Sequence, residues 1–185
     1  MKASAFIGYK AAQSLDYAIG ELAEAIGLPL THFVTINFSL TDIAPERAVE
    51  TFQLLRLREF NKWARRPAIN CGKPFIPAYA YFFENERDDH PFMEIGPRLP
   101  HNVHVHWPAH IPGDRLEDFK QRLWEWLDTY CTRPSLDGAV NIREIEHPKG
   151  LRTFALKGVQ PAWAPHFSAS HAGQGLIIGR RLAPA

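Results

Sequence analysis

The 185-residue sequence has two cysteines and no long apolar run, and these scarcities exclude several classes of protein. Cys71 and Cys131 lie too far apart for the spacing of a zinc site, so we expect buried thiols. No apolar stretch approaches the roughly 18 residues that span a bilayer, and we expect no membrane-spanning helix. The first residues lack the apolar core of a secretory signal peptide, so we expect a cytoplasmic protein.

Several enzyme motifs and compositional features are missing as well. The chain has no Gly-rich Walker-type loop and no Gly-x-Ser-x-Gly sequence, so nucleotide hydrolysis and serine hydrolysis have no support. Lys and Arg number 21 against 20 Asp and Glu, and this balance does not indicate a partner. Without repeats, low-complexity tracts or a shift in composition, residues 1–185 are expected to form one domain.

Hydrophobic periodicity predicts an α+β fold, with a mainly antiparallel central sheet of about five strands and flanking helices. Strands predicted at 78–84 and 103–111 are expected to pair as a hairpin. The region 150–158 is predicted as a short helix or strand. The remaining predictions are helices at 11–26, 44–64 and 114–130 and strands at 32–38, 139–145 and 174–180.

Among nine histidines, His104 and His106 form the most informative pattern. Because side chains alternate along a strand, both imidazoles lie on one face, roughly 7 Å apart, while Val105 points into the core. Two such rings can reach one divalent ion, although packed or surface histidines show the same pattern. Glu84 ends the neighbouring strand and is the expected third ligand, with Glu94 as the alternative. These ligands suit Mg²⁺ or Mn²⁺ at a phosphate, or a transition metal.

Three short blocks then resemble the HUH endonucleases, specifically the rolling-circle replication initiators. His104-Val105-His106 is similar to the family's His-hydrophobe-His motif. Residues 33–38, which contain Thr35 and Asn37, resemble its first motif, a strand ending in Thr or Ser near the DNA. Residues 154–158, Phe-Ala-Leu-Lys-Gly, resemble its third motif, Tyr-x-x-Lys-Gly, which begins 48 residues after His106. The resemblance covers about residues 31–181, includes Glu84-Asn85 and a Gly- and Arg-containing tail, and leaves out the N-terminal helix before residue 27.

The resemblance implies an HUH/RRM-like sheet and a metal-dependent reaction on single-stranded DNA or an origin hairpin. In the family a bound metal polarises a phosphate and a tyrosine attacks it, giving a 5′-phosphotyrosine link and a free 3′-OH that can prime synthesis or rejoin. Here His104, His106 and Glu84 would hold Mg²⁺ or Mn²⁺, Lys157 would assist, and host replication proteins are candidate partners. Residues expected to contact DNA are Thr35, Asn37, Arg65, Arg66, Arg180 and Arg181. For Arg65 and Arg66, at the basic end of the second predicted helix, a solvated helix terminus is an equally good explanation.

Phe154 departs from the family pattern at the position of the nucleophile. A phenyl ring has no oxygen, so this chain is not expected to nick DNA by that route. Three interpretations stay open: an engineered Tyr→Phe change, a natural relative that binds DNA without cutting it, or a nucleophile elsewhere. For the last, Tyr9 and Tyr17 stand near the N-terminus, as in relaxases of the superfamily, whereas the other three tyrosines are expected in the core.

An unrelated chemistry is the remaining alternative. A metal-dependent hydrolase could use His104 and His106 to activate water, in which case turnover would not depend on residue 154.

Overall fold

An open antiparallel sheet of four strands organises the chain. The computed structural model describes residues 9–44, 47–66, 73–85, 103–131 and 138–156. The strands run in the order β2-β3-β1-β4, and β2 and β3 pair antiparallel as predicted. The predicted α+β class is confirmed, with four strands in these ranges, and the strand predicted at 174–180 lies outside them. Their bounds are β1 His32–Asn37, β2 Phe82–Asn85, β3 Val103–Ala109 and β4 Val140–Glu144.

Within the described ranges, four helices flank the sheet. The helix α3 spans Leu116–Tyr130 and α4 spans Pro148–Ala155, so the region predicted as helix or strand is helical. None of the described helices is long and apolar enough to cross a membrane. The first two helices each contain a π-helical segment in the middle. In α1 the α-helical segments Tyr9–Tyr17 and Ala23–Ala25 flank the π-helical segment Ala18–Leu22. In α2 the α-helical segments Ala48–Leu54 and Asn61–Ala64 flank the π-helical segment Leu55–Phe60.

The main core lies between one face of the sheet and helices α2 and α3. Val105 and Trp107, alternate residues of β3, are fully buried on this face. The Trp107 ring meets Phe60 of α2 edge-on at 4.7 Å between centroids and Phe119 of α3 at 5.9 Å. On α3 the buried residues recur at helical spacing, namely Phe119, Leu123, Trp126 and Leu127, so the apolar stripe that predicted this helix is also its packing surface.

A second, smaller core covers the opposite face of the sheet. Leu15 and Ile19 of α1 pack with Phe82 of β2 and with Leu151 and Ala155 of α4. The helix α4 therefore rests on the face of the sheet that carries the even-numbered residues of β3, which include His104 and His106. This arrangement brings Phe154, the first residue of the block at 154–158, next to His106.

Candidate functional site

Strand β3 places the two histidines on one face of the sheet. The His104 and His106 rings have centroids 6.2 Å apart, while Val105 between them is buried in the main core. His106 is buried, with 7% of its surface exposed, and His104 is half-buried. The alternation predicted from sequence is therefore present, and we call this surface the histidine face, defined by Phe33, Thr35, Phe82, His104 and His106.

The register of the sheet places further predicted residues in the same rows. Glu84 of β2 and Asn37 of β1 both pair with His104. Thr35 of β1 pairs with His106. Glu84 is thus at the strand position expected of a third ligand, whereas Glu94 lies outside the described residues.

The described side chains alone do not complete a metal site. Within the described ranges, no group of three or more His, Cys, Asp or Glu side chains is placed to hold an ion. The structure supplies the His104 and His106 imidazoles, and for Glu84 it gives the pairing with His104 across β2 and β3. Two imidazoles on one strand suit a divalent ion that keeps several positions open for substrate or water.

Thr35 fixes the orientation of the His106 ring. Its hydroxyl oxygen lies 3.1 Å from Nδ1 of His106, within hydrogen-bond distance. In metal sites a partner on one ring nitrogen orients the imidazole so that the other nitrogen binds the ion. A metal here would accordingly be held by Nε2 of His106. The sequence predicts a DNA contact for Thr35, and the structure gives it this hydrogen bond.

Asn37 makes a local contact at the end of β1. Its side-chain oxygen accepts hydrogen bonds from the backbone N–H of Ser39, at 3.0 Å, and from the Ser39 hydroxyl. These bonds cap the 3₁₀ turn Phe38–Leu40 that follows the strand. The DNA contact expected of Asn37 stays a prediction, and its position beside His104 is compatible with one.

Three phenylalanines enclose the His106 imidazole. Phe33 stacks on it at 5.3 Å between centroids with planes 19° apart, and Phe82 lies at 5.1 Å. Phe154 of α4 meets the ring edge-on at 4.9 Å and 88°. Sequence reasoning did not assign Phe33 or Phe82 to the site, although each stands two residues from a predicted site residue on the same strand.

An ion pair ties α4 to the N-terminal helix. The guanidinium of Arg152 donates two hydrogen bonds of 2.8 Å to the carboxylate of Asp16. Arg152 stands two residues before Phe154, so this pair restrains the turn of α4 that faces His106. The N-terminal helix, which lies outside the family resemblance, thereby supports the site.

The five tyrosines are all in the described ranges, and three of them lie away from the histidine face. The hydroxyl of Tyr79 accepts from Arg56 and that of Tyr81 accepts from Gln53, and both rings belong to the main core. Tyr130 packs against the same core, as expected. Tyr9 and Tyr17 are exposed on α1 and stay the alternative nucleophiles.

The two predicted basic residues within the described ranges, Arg65 and Arg66, lie away from the histidine face. Arg65 and Arg66 are exposed after the end of α2, which packs on the opposite face. The backbone carbonyl of Arg66 accepts from the buried Arg115 at 3.2 Å. Lys157, Arg180 and Arg181 lie outside the described residues, so their roles stay predictions.

Comparison with known proteins assigns no family. No protein-family profile, curated protein or solved structure matches the chain. A functional assignment therefore depends on the motif residues and on the geometry of the histidine face.

Proposed function

We propose that this chain binds single-stranded DNA, or a DNA hairpin at a replication origin, across the histidine face, and that position 154 is the nucleophile position of an HUH-type nicking enzyme. The observation that carries the proposal is the edge-on contact between the Phe154 ring and the His106 imidazole, 4.9 Å between centroids. The motif resemblance requires this proximity of residues 48 positions apart, and the packing of α4 supplies it.

A tyrosine at position 154 would provide the covalent step. Its hydroxyl oxygen would lose a proton and attack the scissile phosphorus. The new O–P bond would link the protein to the 5′ phosphate of the downstream DNA segment. The bond between phosphorus and the 3′ oxygen would break, and that oxygen would take up a proton to give a 3′-OH. Attack by a 3′-OH on the protein-bound phosphate would reverse these changes and rejoin the strand.

The ion in this proposal is Mg²⁺ or Mn²⁺. His104 and His106 would hold it through ring nitrogens, with Glu84 as the third ligand by register. When bound, the ion would polarise the scissile phosphate and stabilise its developing charge. Thr35 would keep the His106 ring oriented for this task.

With Phe154 in place, the chain would bind DNA without forming the covalent link. Phenylalanine has the ring of tyrosine and lacks the hydroxyl, so packing against Phe33 and Phe82 is preserved while the nucleophile is absent. The proposed activity of the chain as written is therefore DNA binding, and nicking would return with Phe154→Tyr.

A denaturing gel tests this proposal. The unmodified chain and Phe154→Tyr are incubated with a labelled pool of random-loop single-stranded DNA and Mn²⁺, with Phe75→Tyr as control because it adds a hydroxyl in the main core. We expect a slower, SDS-resistant DNA–protein band with Phe154→Tyr alone. DNA binding with no band in any variant would instead support a non-cleaving binding module. Cleavage by all three variants without a band would favour the hydrolase alternative, and an adduct in all three would point to Tyr9 or Tyr17.

A further inference from the structure

A cleft adjoins the proposed site between the end of β4 and the start of α4. Its volume is about 250 Å³, and its lining includes Phe33, Arg143, Glu146, Leu151 and Phe154. Two of these residues, Phe33 and Phe154, also contact His106. The cleft and the histidine face are therefore neighbouring parts of one surface.

Arg143 is the cation of this cleft. It pairs with Phe33 across β1 and β4, and directly opposed residues of an antiparallel pair project from the same face of a sheet. The side chain is exposed, and its Nε donates to Oδ1 of Asn141 at 3.1 Å. This bond orients the planar guanidinium on the histidine face.

The size and the lining of the cleft suit a single nucleobase. Its volume is below the roughly 300 Å³ at which pockets for drug-sized ligands begin, so a single flat ring system suits it better than a larger ligand. Phe33 and Phe154 supply aromatic walls, and aromatic side chains bind unstacked bases of single strands by stacking. A phosphate at His104 and His106 would place a flanking base within reach of these walls.

The polar groups select among the bases. An Arg fork pairs with the O6 and N7 acceptors of guanine, which is the commonest specific base contact of arginine. Guanine also carries N1–H and N2–H donors, for which the Glu146 carboxylate in the same lining is an acceptor. Guanine alone among the four bases offers two adjacent acceptors to a cation and two adjacent donors to a carboxylate.

We propose that this cleft is a subsite for one unstacked guanine of single-stranded DNA, next to the phosphate that position 154 faces. Arg143 holds the O6 and N7 edge, and Glu146 accepts from the neighbouring N1 and N2 edge. The Phe33 and Phe154 rings are perpendicular, at 87°, so one stacks on the base and the other meets it edge-on. The subsite rests on the proposed function for its ligand, DNA, but not on any cleavage step.

Binding to the unmodified chain tests the subsite, since Phe154 prevents adduct formation. The probes are fluorescein-labelled oligothymidylate and the same strand with one central dG, dA or dC, compared by fluorescence anisotropy with Mg²⁺ present. We expect the dG strand to bind about tenfold more tightly than the other three. Arg143→Lys, which keeps the charge and loses the fork, is expected to abolish this preference while salt-dependent binding continues.

The matched control is Arg65→Lys, the same change at an exposed arginine on the other side of the sheet. It is expected to leave the dG preference intact. Equal binding of all four strands, or a dG preference that survives Arg143→Lys, would overturn the subsite. The adduct assay and the binding assay test different claims. If Phe154→Tyr forms an adduct but all four strands bind equally, only the subsite is overturned. If the dG strand is preferred but no adduct forms, only the nicking role is overturned.

Discussion

The Phe154 ring and the imidazole of His106 are perpendicular, with centroids 4.9 Å apart and planes at 88°. The two residues come from a strand at the centre of the sheet and from the last described helix. Their contact is a tertiary one, made because α1 and α4 pack on the part of the histidine face that carries Phe33 and Phe82. The proposed nucleophile role requires that a hydroxyl on this ring reach a phosphate bound at His104 and His106.

Metal affinity is expected to depend on both histidines. The double variant His104→Ala/His106→Ala removes both imidazoles that are proposed to bind the ion, and titration of Mn²⁺ by calorimetry should show no binding. Glu84→Gln should weaken binding, because an amide ligand lacks the charge of a carboxylate. His110→Gln serves as control, since His110 hydrogen-bonds the carbonyl of Pro29. Unchanged Mn²⁺ affinity in the double variant would rule out the site.

Thr35 is expected to act through His106. Thr35→Val keeps the shape of the side chain and removes the hydroxyl that lies 3.1 Å from Nδ1. Loss of such an orienting partner should weaken Mn²⁺ binding about 10- to 100-fold. Thr35→Ser retains the hydroxyl and should restore most of the affinity. Equal affinities of the Val and Ser variants would show that the hydrogen bond does not orient the ligand.

The ion pair between Asp16 and Arg152 is expected to position α4. Asp16→Asn should lower the free energy of unfolding by about 1 kcal/mol, because the pair is only partly exposed and is held by two hydrogen bonds. In the Phe154→Tyr background the same change should slow adduct formation more than it lowers the folded fraction. Glu21→Gln, also on the N-terminal helix, is the control. If Asp16→Asn slowed the reaction no more than Glu21→Gln does, the ion pair would have no positioning role.

Stability is expected to fall with acid because of His32. Burial lowers the pKa of His32 below its ordinary value of 6.5, against an opposing effect of Glu144 and with smaller lowering effects of Lys120 and His110. Above pH 6.5 the ring is neutral in both states. As the pH falls below 6.5 the unfolded chain binds a proton that the folded chain resists, so the free energy of unfolding decreases.

Urea unfolding at pH 7.5 and 5.5 measures this effect. His32→Asn removes the titrating group, and the variant should lose less stability between the two pH values than the unmodified chain. The remaining histidines contribute equally to both proteins, so the difference between them isolates His32. An identical loss in both proteins would contradict the shift.

The hydrophobic pattern within a single segment was enough to predict most of the described helices and strands and, for β3 and α3, the face that each one buries. The alternation around Val105 placed both histidines on one face, and the apolar stripe of α3 marked its packing surface. The contacts of Arg143 could not be predicted this way, because its place beside Phe33 depends on the register between β1 and β4. The pair of Asp16 and Arg152 joins residues 136 positions apart, and no local pattern specifies such a contact.

The motif resemblance supplied what periodicity could not. It predicts that Phe154 occupies the nucleophile position, and the packing of α4 places this ring against His106. It was less informative about which arginines lie near the histidine face. Arg65 and Arg66 follow α2, which packs on the opposite face of the sheet, whereas Arg143 lines the cleft beside Phe33 and Phe154. A basic helix end is a local charge pattern, and which face of a sheet it covers is decided by tertiary packing.

The most direct measurement is the position of the covalent bond in the Phe154→Tyr variant. The variant is reacted with single-stranded DNA and Mn²⁺, digested with nuclease and protease, and its peptides are analysed by tandem mass spectrometry. We predict a nucleotide attached through phosphate to the side chain at position 154 in the peptide that contains Leu151 and Ala155, with Tyr9 and Tyr17 unmodified. A nucleotide on Tyr9 or Tyr17, or on no tyrosine, would contradict the assignment of position 154 as the nucleophile position.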